Sequence, residues 1–401
     1  MSNKLKILFI PKWYPSRVHE HNGNFIHRHA LAVSMKHPVA VLFVSADPAM
    51  KDKMYETEYE LENEISTVRV YYNNSLKNIP VVSSLIKFYR YLNACKIGIK
   101  VVNAKFGVPD ISHIHVLART FLPAYYYNYF YKTPVVISEQ WSGYLPEDGM
   151  YKGFFKKMLT RIAIRKASAV TTVSQSLKNA MLSHGLKNNY SVIPNVVDTH
   201  LFYAASQNKK PAYAIASAAK KDKFIFLHVS NLYDRAKNIS GMIKAMKKLS
   251  EKRDDFEFHI VGDGEERTEL EKLAEKLQLL NKNIFFLKKK TSPEVSEMMR
   301  NADLFLLFSN YDNMPCVMVE SLASGLPVVG TSIHGIKEHV KEGRGILVAP
   351  GDENAFCDAI VSAMNNIASY DKMKMSAYAK ENFSYEMVSE QFDRVYQKVK
   401  A

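Results

Sequence analysis

The sequence predicts an α/β fold of two doubly wound Rossmann-like domains facing a common cleft, and three observations predict it. Short apolar, β-branched runs alternate with helical stretches, the series is repeated in the second half, and the chemistry-bearing motifs fall just after the runs. In the first half the runs are Lys6–Ile10, Val39–Val44, Ile111–His115, Val135–Ser138, Val170–Val173 and Val192–Ile193. Helical patterns fall between them at Phe25–Met35, Val82–Ala104, Phe154–Ala167 and Ser176–His184. The second half repeats the scheme with Phe224–Val229, Phe256–Val261, Ile284–Leu287, Leu304–Phe308, Val328–Val329 and Ile346–Val348. Strands apolar throughout belong to parallel sheets covered on both faces. The expected division is residues 1–200, a hinge at 201–222 and a second domain at 223–383, with the C-terminal helix 384–401 packed back on the first domain.

A chain of 401 residues exceeds one ordinary core, and 47% hydrophobic with 23% charged residues is a globular composition. No run approaches the ~18 apolar residues of a spanning helix. The Lys4–Ile10 stretch lacks the apolar region and cleavage site of a signal peptide, so the cytoplasm is the expected location. Cys95, Cys316 and Cys357 have neither disulfide-framework nor CxxC spacing and read as buried thiols. Charge is distributed unevenly. Residues 1–200 hold 25 Lys and Arg against 13 Asp and Glu, whereas residues 201–401 hold 29 against 27. The basic half is either a set of solvated faces or the seat of a polyanionic partner: an anionic membrane surface, a phosphorylated acceptor or nucleic acid.

Residues 309–329, SNYDNMPCVMVESLASGLPVV, read as strand end, loop, helix, glycine stop and strand. Pro315 suits a first helical position, with Asn313 or Met314 at the cap and Gly325 as the stop. A helix N-terminus aimed at the cleft is a phosphate site without any side chain. Asp312 precedes that helix and Glu320 lies within it. Either they are a solvated acid and a structural acid, or they hold hydroxyls of a nucleotide-sugar on both sides of its phosphates.

The stretch resembles the E-x7-E motif of the retaining glycosyltransferases of family 4 (group 1), which have GT-B architecture. Six other stretches are similar to the same family in its order: residues 11–34, 137–144, 170–182, 192–202, 228–249 and 259–279. The resemblance implies roles position by position. Lys237 would grip the donor diphosphate, Glu320 the ribose, and Asp312 the donor-sugar hydroxyls. Backbone at Asn313, Met314 and Pro315 would cradle sugar and phosphates, and Gly23 would let backbone approach the phosphates. His115 would stand near the sugar at the reaction centre, against the alternative of a structural strand-end histidine. Glu139 and Gln140 would lie on the acceptor side. The sequence departs from the family pattern at three points. Asp312 replaces a Glu, Asn231 stands where an Arg is usual beside the diphosphate, and Gln140 replaces a His. Arg235, or one of Lys288, Lys289 and Lys290, is a candidate to supply the missing cation.

The resemblance implies retaining transfer of a sugar from a nucleoside diphosphate sugar to a saccharide or lipid-linked acceptor in surface polysaccharide or lipopolysaccharide synthesis. No D-x-D pair is placed to hold a metal, so no metal or cofactor is expected. Val81–Pro109 carries five Lys/Arg and no acid, and Tyr151–Lys166 six and none, interleaved with Phe154, Phe155, Met158, Leu159 and Ile162. The second segment is either an ordinary two-faced helix or a helix lying on the inner face of the cytoplasmic membrane. No nucleic acid is expected, because the tyrosines of 125–131 stand apart from the basic runs. The rival readings are a nucleotide-sugar epimerase or hydrolase of the same architecture, and a basic membrane-surface scaffold.

Overall fold

In the computed structural model of the protein, residues 4–20, 22–75, 82–205 and 223–401 are described. The first domain runs β1 (Ile7–Pro11), α1 (Asn24–Ser34), β2 (Val39–Ala46), β3 (Tyr55–Glu62), β4 (Ile65–Tyr72), α2 (Val82–Lys105), β5 (Ile111–His115), α3 (Phe121–Tyr131), β6 (Val135–Glu139), α4 (Phe154–Lys166), β7 (Ala169–Thr172), α5 (Gln175–Ser183) and β8 (Tyr190–Val192). The second runs β9 (Phe224–Val229), α6 (Asp234–Lys237), α7 (Ile239–Ser250), β10 (Phe256–Val261), α8 (Arg267–Lys276), β11 (Ile284–Leu287), α9 (Ser292–Asn301), β12 (Leu304–Leu307), α10 (Cys316–Ala323), β13 (Val328–Thr331), α11 (His334–His339), β14 (Gly345–Val348), α12 (Glu353–Asn365), α13 (Lys372–Phe383) and α14 (Tyr385–Lys400).

Each series forms one sheet. The first has the order β3-β4-β2-β1-β5-β6-β7-β8, and the second β11-β10-β9-β12-β13-β14. All pairings are parallel except β3 with β4. In the first sheet the strand order reverses between β1 and β5; in the second, between β9 and β12. These are the switch points at which loops diverge to opposite faces and leave a crevice. Strands β1, β5, β10 and β12 are buried along their length, as the apolar runs of β1 and β12 require.

The β3–β4 hairpin is absent from the sequence expectation. Its edge strand YETEYELE alternates with glutamates and is largely exposed, so it shows no apolar run. Asn63 and Glu64 turn it with positive φ, 49° and 64°. The glutamates hold a loop: Arg17 reaches Asp47 at 2.9 Å, Glu56 at 3.0 Å and Glu58 at 2.9 Å, which pins the segment between β1 and α1.

Helices α1 and α14 cover one face of the first sheet. His37 bonds Asp393 at 3.1 Å, Lys36 pairs with Glu390, and the Tyr396 hydroxyl meets His113 Nδ1 at 2.7 Å. The terminal helix thus lies on the first domain. Helices α2, α3 and α4 cover the opposite face and join its core. Of the expected hinge, 206–222 lies outside the described residues; before it, Leu201 O accepts from Ser296 Oγ at 2.5 Å and Arg300 at 3.2 Å, joining this segment to α9.

Candidate active site

The loops that follow β6, β9 and β12 converge. A cavity of about 380 Å3 is bounded by Trp141, Ser142, Asp148 and Met150 from the first domain, and by Asn231, Tyr233, Arg235, Ala236, Lys237, Tyr311 and Asp312 from the second. It sits over the β9/β12 switch point, where the carboxyl ends of the strands leave room for a ligand. Of the residues chosen from the sequence, Lys237, Asp312, Asn231 and Arg235 border it. Lys288, Lys289 and Lys290 do not, and Lys290 is tied to Glu294 at 2.9 Å; of these four candidates only Arg235 borders the cavity. Lys237 Nζ pairs with Asp312, joining α6 to the loop after β12.

The remaining residues form a seam beside the cavity, where the two domains touch. Asn313 Nδ2 donates to Gln140 O at 2.7 Å, and Asn195 Nδ2 donates to Met314 O at 2.7 Å. Deeper, Arg28 Nη1 on α1 meets Glu320 Oε1 on α10 at 2.6 Å. Burial opposes the guanidinium's charge, but Glu320 more than restores it, so Arg28 stays protonated. Arg28 and Asn195 were missed from the sequence. A lone arginine on α1 gives no periodic signal, and its partner lies 292 positions away.

Pro315 corrects one expectation. It is the cap of α10, with φ −62° and ψ 127°, rather than its first helical residue. The first-turn amides begin at Cys316, so the free N–H groups at this end of the helix are those of Cys316 and Val317. Gly335 supports this loop from below. Its N–H donates to Asn313 O at 2.8 Å, and a Cβ there would lie 2.2 Å from that oxygen. Gly23 does the same for the first domain. It has φ 82°, and a Cβ would lie 2.3 Å from Trp13 O, so only glycine lets α1 start against the loop after β1.

His115 ends β5 at the other switch point. Its ring packs 4.2 Å from Phe9 and 4.1 Å from His113, centroid to centroid, and it does not border the cavity. Burial, then His113 and His29, hold its pKa well below the ordinary value, so it is neutral. Neither ring nitrogen has a partner, which costs about 1–3 kcal/mol for a buried polar group. His29 is also neutral, its pKa pushed down to about 4 by burial. Its Nε2 donates to Pro194 O at 3.1 Å, which leaves Nδ1 to accept from Gln140 Nε2 at 3.1 Å.

Buried polar atoms without partners include Gln140 Oε1, Asn195 Oδ1 and Asn313 Oδ1 on residues of the seam, and both His115 nitrogens and Glu139 Oε2 within the first domain. Native proteins leave few such atoms, and a cluster of them marks a place where a polar ligand completes the hydrogen bonding. Glu139 is the acid of this group. Its Oε1 accepts from Leu117 N–H at 2.8 Å and the Tyr144 hydroxyl at 3.2 Å.

Burial pushes the Glu139 carboxyl up to about 7, against those hydrogen bonds. The unfolded chain releases the proton near 4.5 while the folded chain keeps it to about 7, so stability falls as pH rises through that window and is level above it. Glu139→Gln removes this effect. The variant is expected to gain on the wild type as pH rises from about 5 to about 7, and to keep a constant lead above it. Urea denaturation at several pH values measures the difference; a lead that shrinks with rising pH contradicts the assignment.

Comparison with known proteins places the chain in a family. Residues 25–201 match the profile "Glycosyltransferase Family 4" and residues 209–381 match "Glycosyl transferases group 1". The N-acetyl-alpha-D-glucosaminyl L-malate synthase of Bacillus anthracis is 27% identical over 59% of this chain and 61% of its own, so the match spans less than two-thirds of that protein. An Escherichia coli UDP-Gal:alpha-D-GlcNAc-diphosphoundecaprenol alpha-1,3-galactosyltransferase is 31% identical over 43% of this chain and 44% of its own. The solved sucrose-phosphate synthase of Thermosynechococcus elongatus superposes with a TM-score of 0.75 at 19% identity, covering 99% of each chain. With both profiles in tandem on two facing Rossmann-like domains, the chain belongs to the group 1 glycosyltransferases of GT-B architecture.

Proposed function

We propose that the protein transfers a sugar, with retention of anomeric configuration and without a metal, from a nucleoside diphosphate sugar to a lipid-linked or saccharide acceptor in surface polysaccharide or lipopolysaccharide synthesis. The observation that carries the reading is the meeting of Lys237, Arg235 and Asp312 at the mouth of α10, beside the seam of unpaired polar atoms. Lys237, Arg235 and the first-turn amides of α10 supply positive charge for a departing diphosphate. In the unliganded protein the acids are paired with cations, Asp312 with Lys237 and Glu320 with Arg28. UDP is the favoured nucleotide, supported by the name of the Escherichia coli relative, and that name also supports a lipid-linked acceptor.

In this reading the acceptor oxygen bonds to the anomeric carbon on the face the diphosphate leaves. The bond between that carbon and the diphosphate oxygen breaks, and the acceptor proton passes to the diphosphate. The ribose reaches Glu320 by displacing Arg28.

UDP is expected to raise the melting temperature more than GDP or ADP. Lys237→Ala and Glu320→Gln should each lower kcat/KM by about tenfold or more, and excess EDTA should leave it unchanged. Asp312→Asn frees Lys237 from its pair, so UDP should bind at least as tightly while transfer falls. Unchanged kinetics in the first two variants, or loss of activity with EDTA, refutes the site.

We also propose that the protein works as a peripheral protein on the inner membrane face, through α4. Phe154 and Phe155 are 75% and 74% exposed among its lysines and arginines, and no helix among the described residues is long and apolar enough to cross a membrane. Sedimentation with phosphatidylglycerol vesicles at low salt, weakened by Phe154→Ser with Phe155→Ser, is the expected result. No association at either low or high salt contradicts it.

A further inference from the structure

Helix α5 of the first domain is finished by a side chain of the second. The amides of its first turn have no partners within the helix and must find them outside it. Ser174 Oγ accepts from Leu177 N–H at 3.1 Å. The amides of Gln175 and Ser176 donate to the two carboxylate oxygens of Glu338, on α11, at 2.9 and 2.8 Å. Lys178 N–H turns back to Ser174 O at 3.2 Å, so the carboxylate completes the set. Both bonds are charge-assisted, and the negative charge stands at the positive end of the helix dipole. Apolar packing backs them: Ile333, Ile336 and Val340, in and beside α11, share one buried cluster with Leu177 and Met181 of α5.

At its start α11 meets the first domain a second time. His334 Nε2 lies 3.4 Å from Glu147 Oε2, in the loop after β6. His334 has φ 36°, a left-handed backbone that is uncommon for a residue with a side chain and persists only where the surroundings impose it. Asp148, the next residue after Glu147, borders the donor-side cavity, and its carbonyl accepts from Arg235 at 3.3 Å.

The same short helix supports the donor loop. Gly335 N–H donates to Asn313 O at 2.8 Å, and a Cβ on Gly335 would lie 2.2 Å from that oxygen, so the two backbones are in direct contact. Asn313 in turn donates from Nδ2 to Gln140 O, and it follows Asp312, which borders the cavity and pairs with Lys237. One side of α11 thus touches the loop after β12, and the other touches two segments of the first domain. These loops supply facing walls of the donor-side cavity. Glu338 itself lines no part of it.

We propose that Glu338 is a positioning residue for the transfer. By completing the N-terminus of α5 it fixes α11, and α11 fixes Asn313 and the mouth of α10 at the distance from Gln140 that the donor requires. The proposal rests on the transferase reading and adds to it a residue outside the cavity, acting across the domain boundary. A carboxylate that only capped α5 would leave the donor loop indifferent to its removal.

Hydrogen–deuterium exchange on the full chain without nucleotide separates the two roles. Glu338→Ala frees two amides of α5, and exchange in 174–178 is expected to rise about tenfold, the effect of losing charge-assisted bonds of ordinary strength. A rise of about tenfold is also expected in 311–318, which the substitution does not touch. Gln175→Pro tests the link from the other domain. Proline is accommodated at a first helical position after an extended residue such as Ser174, and it deletes one of the two amides. It should speed exchange in 311–318 about threefold or more. Gln175→Ala keeps the amide while losing the side-chain bond to Asn179, and it should exchange in 311–318 like the wild type. Glu338→Gln keeps an acceptor without the charge and should fall between Glu338→Ala and the wild type. Wild-type rates in β9 and β10 show that the variants fold; should Glu338→Ala unfold, Glu338→Gln and Gln175→Pro carry the test. Wild-type exchange in 311–318 in a folded Glu338→Ala or Gln175→Pro variant overturns the proposal. The half-point for thermal stabilisation by UDP, read on the same samples, should rise about tenfold in Glu338→Ala, and an unchanged half-point also overturns it. If UDP fails to stabilise even the wild type while 311–318 loosens in the variants, the transferase reading fails and the coupling stands.

Discussion

The contact between Arg28 and Glu320 sets the geometry on which the rest of the site depends. It joins α1, which begins beside the switch point of the first sheet, to α10, which begins beside the switch point of the second. Each partner alone would be a mostly buried charge. Such a charge is tolerated only when paired, so the two helices are held at one spacing. Around that contact the loop backbones are locked by Asn313 on Gln140 and Asn195 on Met314. The price of the arrangement is the set of polar atoms left without partners, and these describe the shape and polarity of what completes the cleft.

Charge is arranged in two layers about Trp141. At the cavity and the seam two cations are paired with acids, Lys237 with Asp312 and Arg28 with Glu320. A ligand bearing both a diphosphate and hydroxyls can exchange with such pairs without leaving a bare charge behind. On the other side Lys12, Arg119 and Lys156 lie against rings, and the charges of Glu139 and Asp148 favour the protonated lysines. The matched side suits a donor that enters and leaves at every turnover.

Much of this was legible in the sequence. The central strands announce themselves because burial on both faces demands apolar runs, as in ILFIP and LFLL. The loop and helix of residues 309–325 are legible because a helix N-terminus with flanking acids is a local pattern. Three features were not. The β3–β4 hairpin is an edge whose glutamates face water and Arg17, so it has no apolar signature. Arg28 is defined by a partner from the other domain. The unpaired nitrogens of His115 follow from packing against Phe9 and His113, and strand spacing alone gives its position but not its isolation. Pro315 shows the limit of local rules: the same residue that suits a first helical position serves here as the cap.

Hydrogen–deuterium exchange with and without UDP tests the central claim most directly, because it reads the backbone on both sides of the cleft at once. The account predicts that UDP slows exchange together in 231–237, in 311–318 at the mouth of α10, and in 22–28 at the start of α1, with GDP as the weaker control. Protection confined to one domain, or absent from 311–318, would contradict a nucleotide-sugar site built from both.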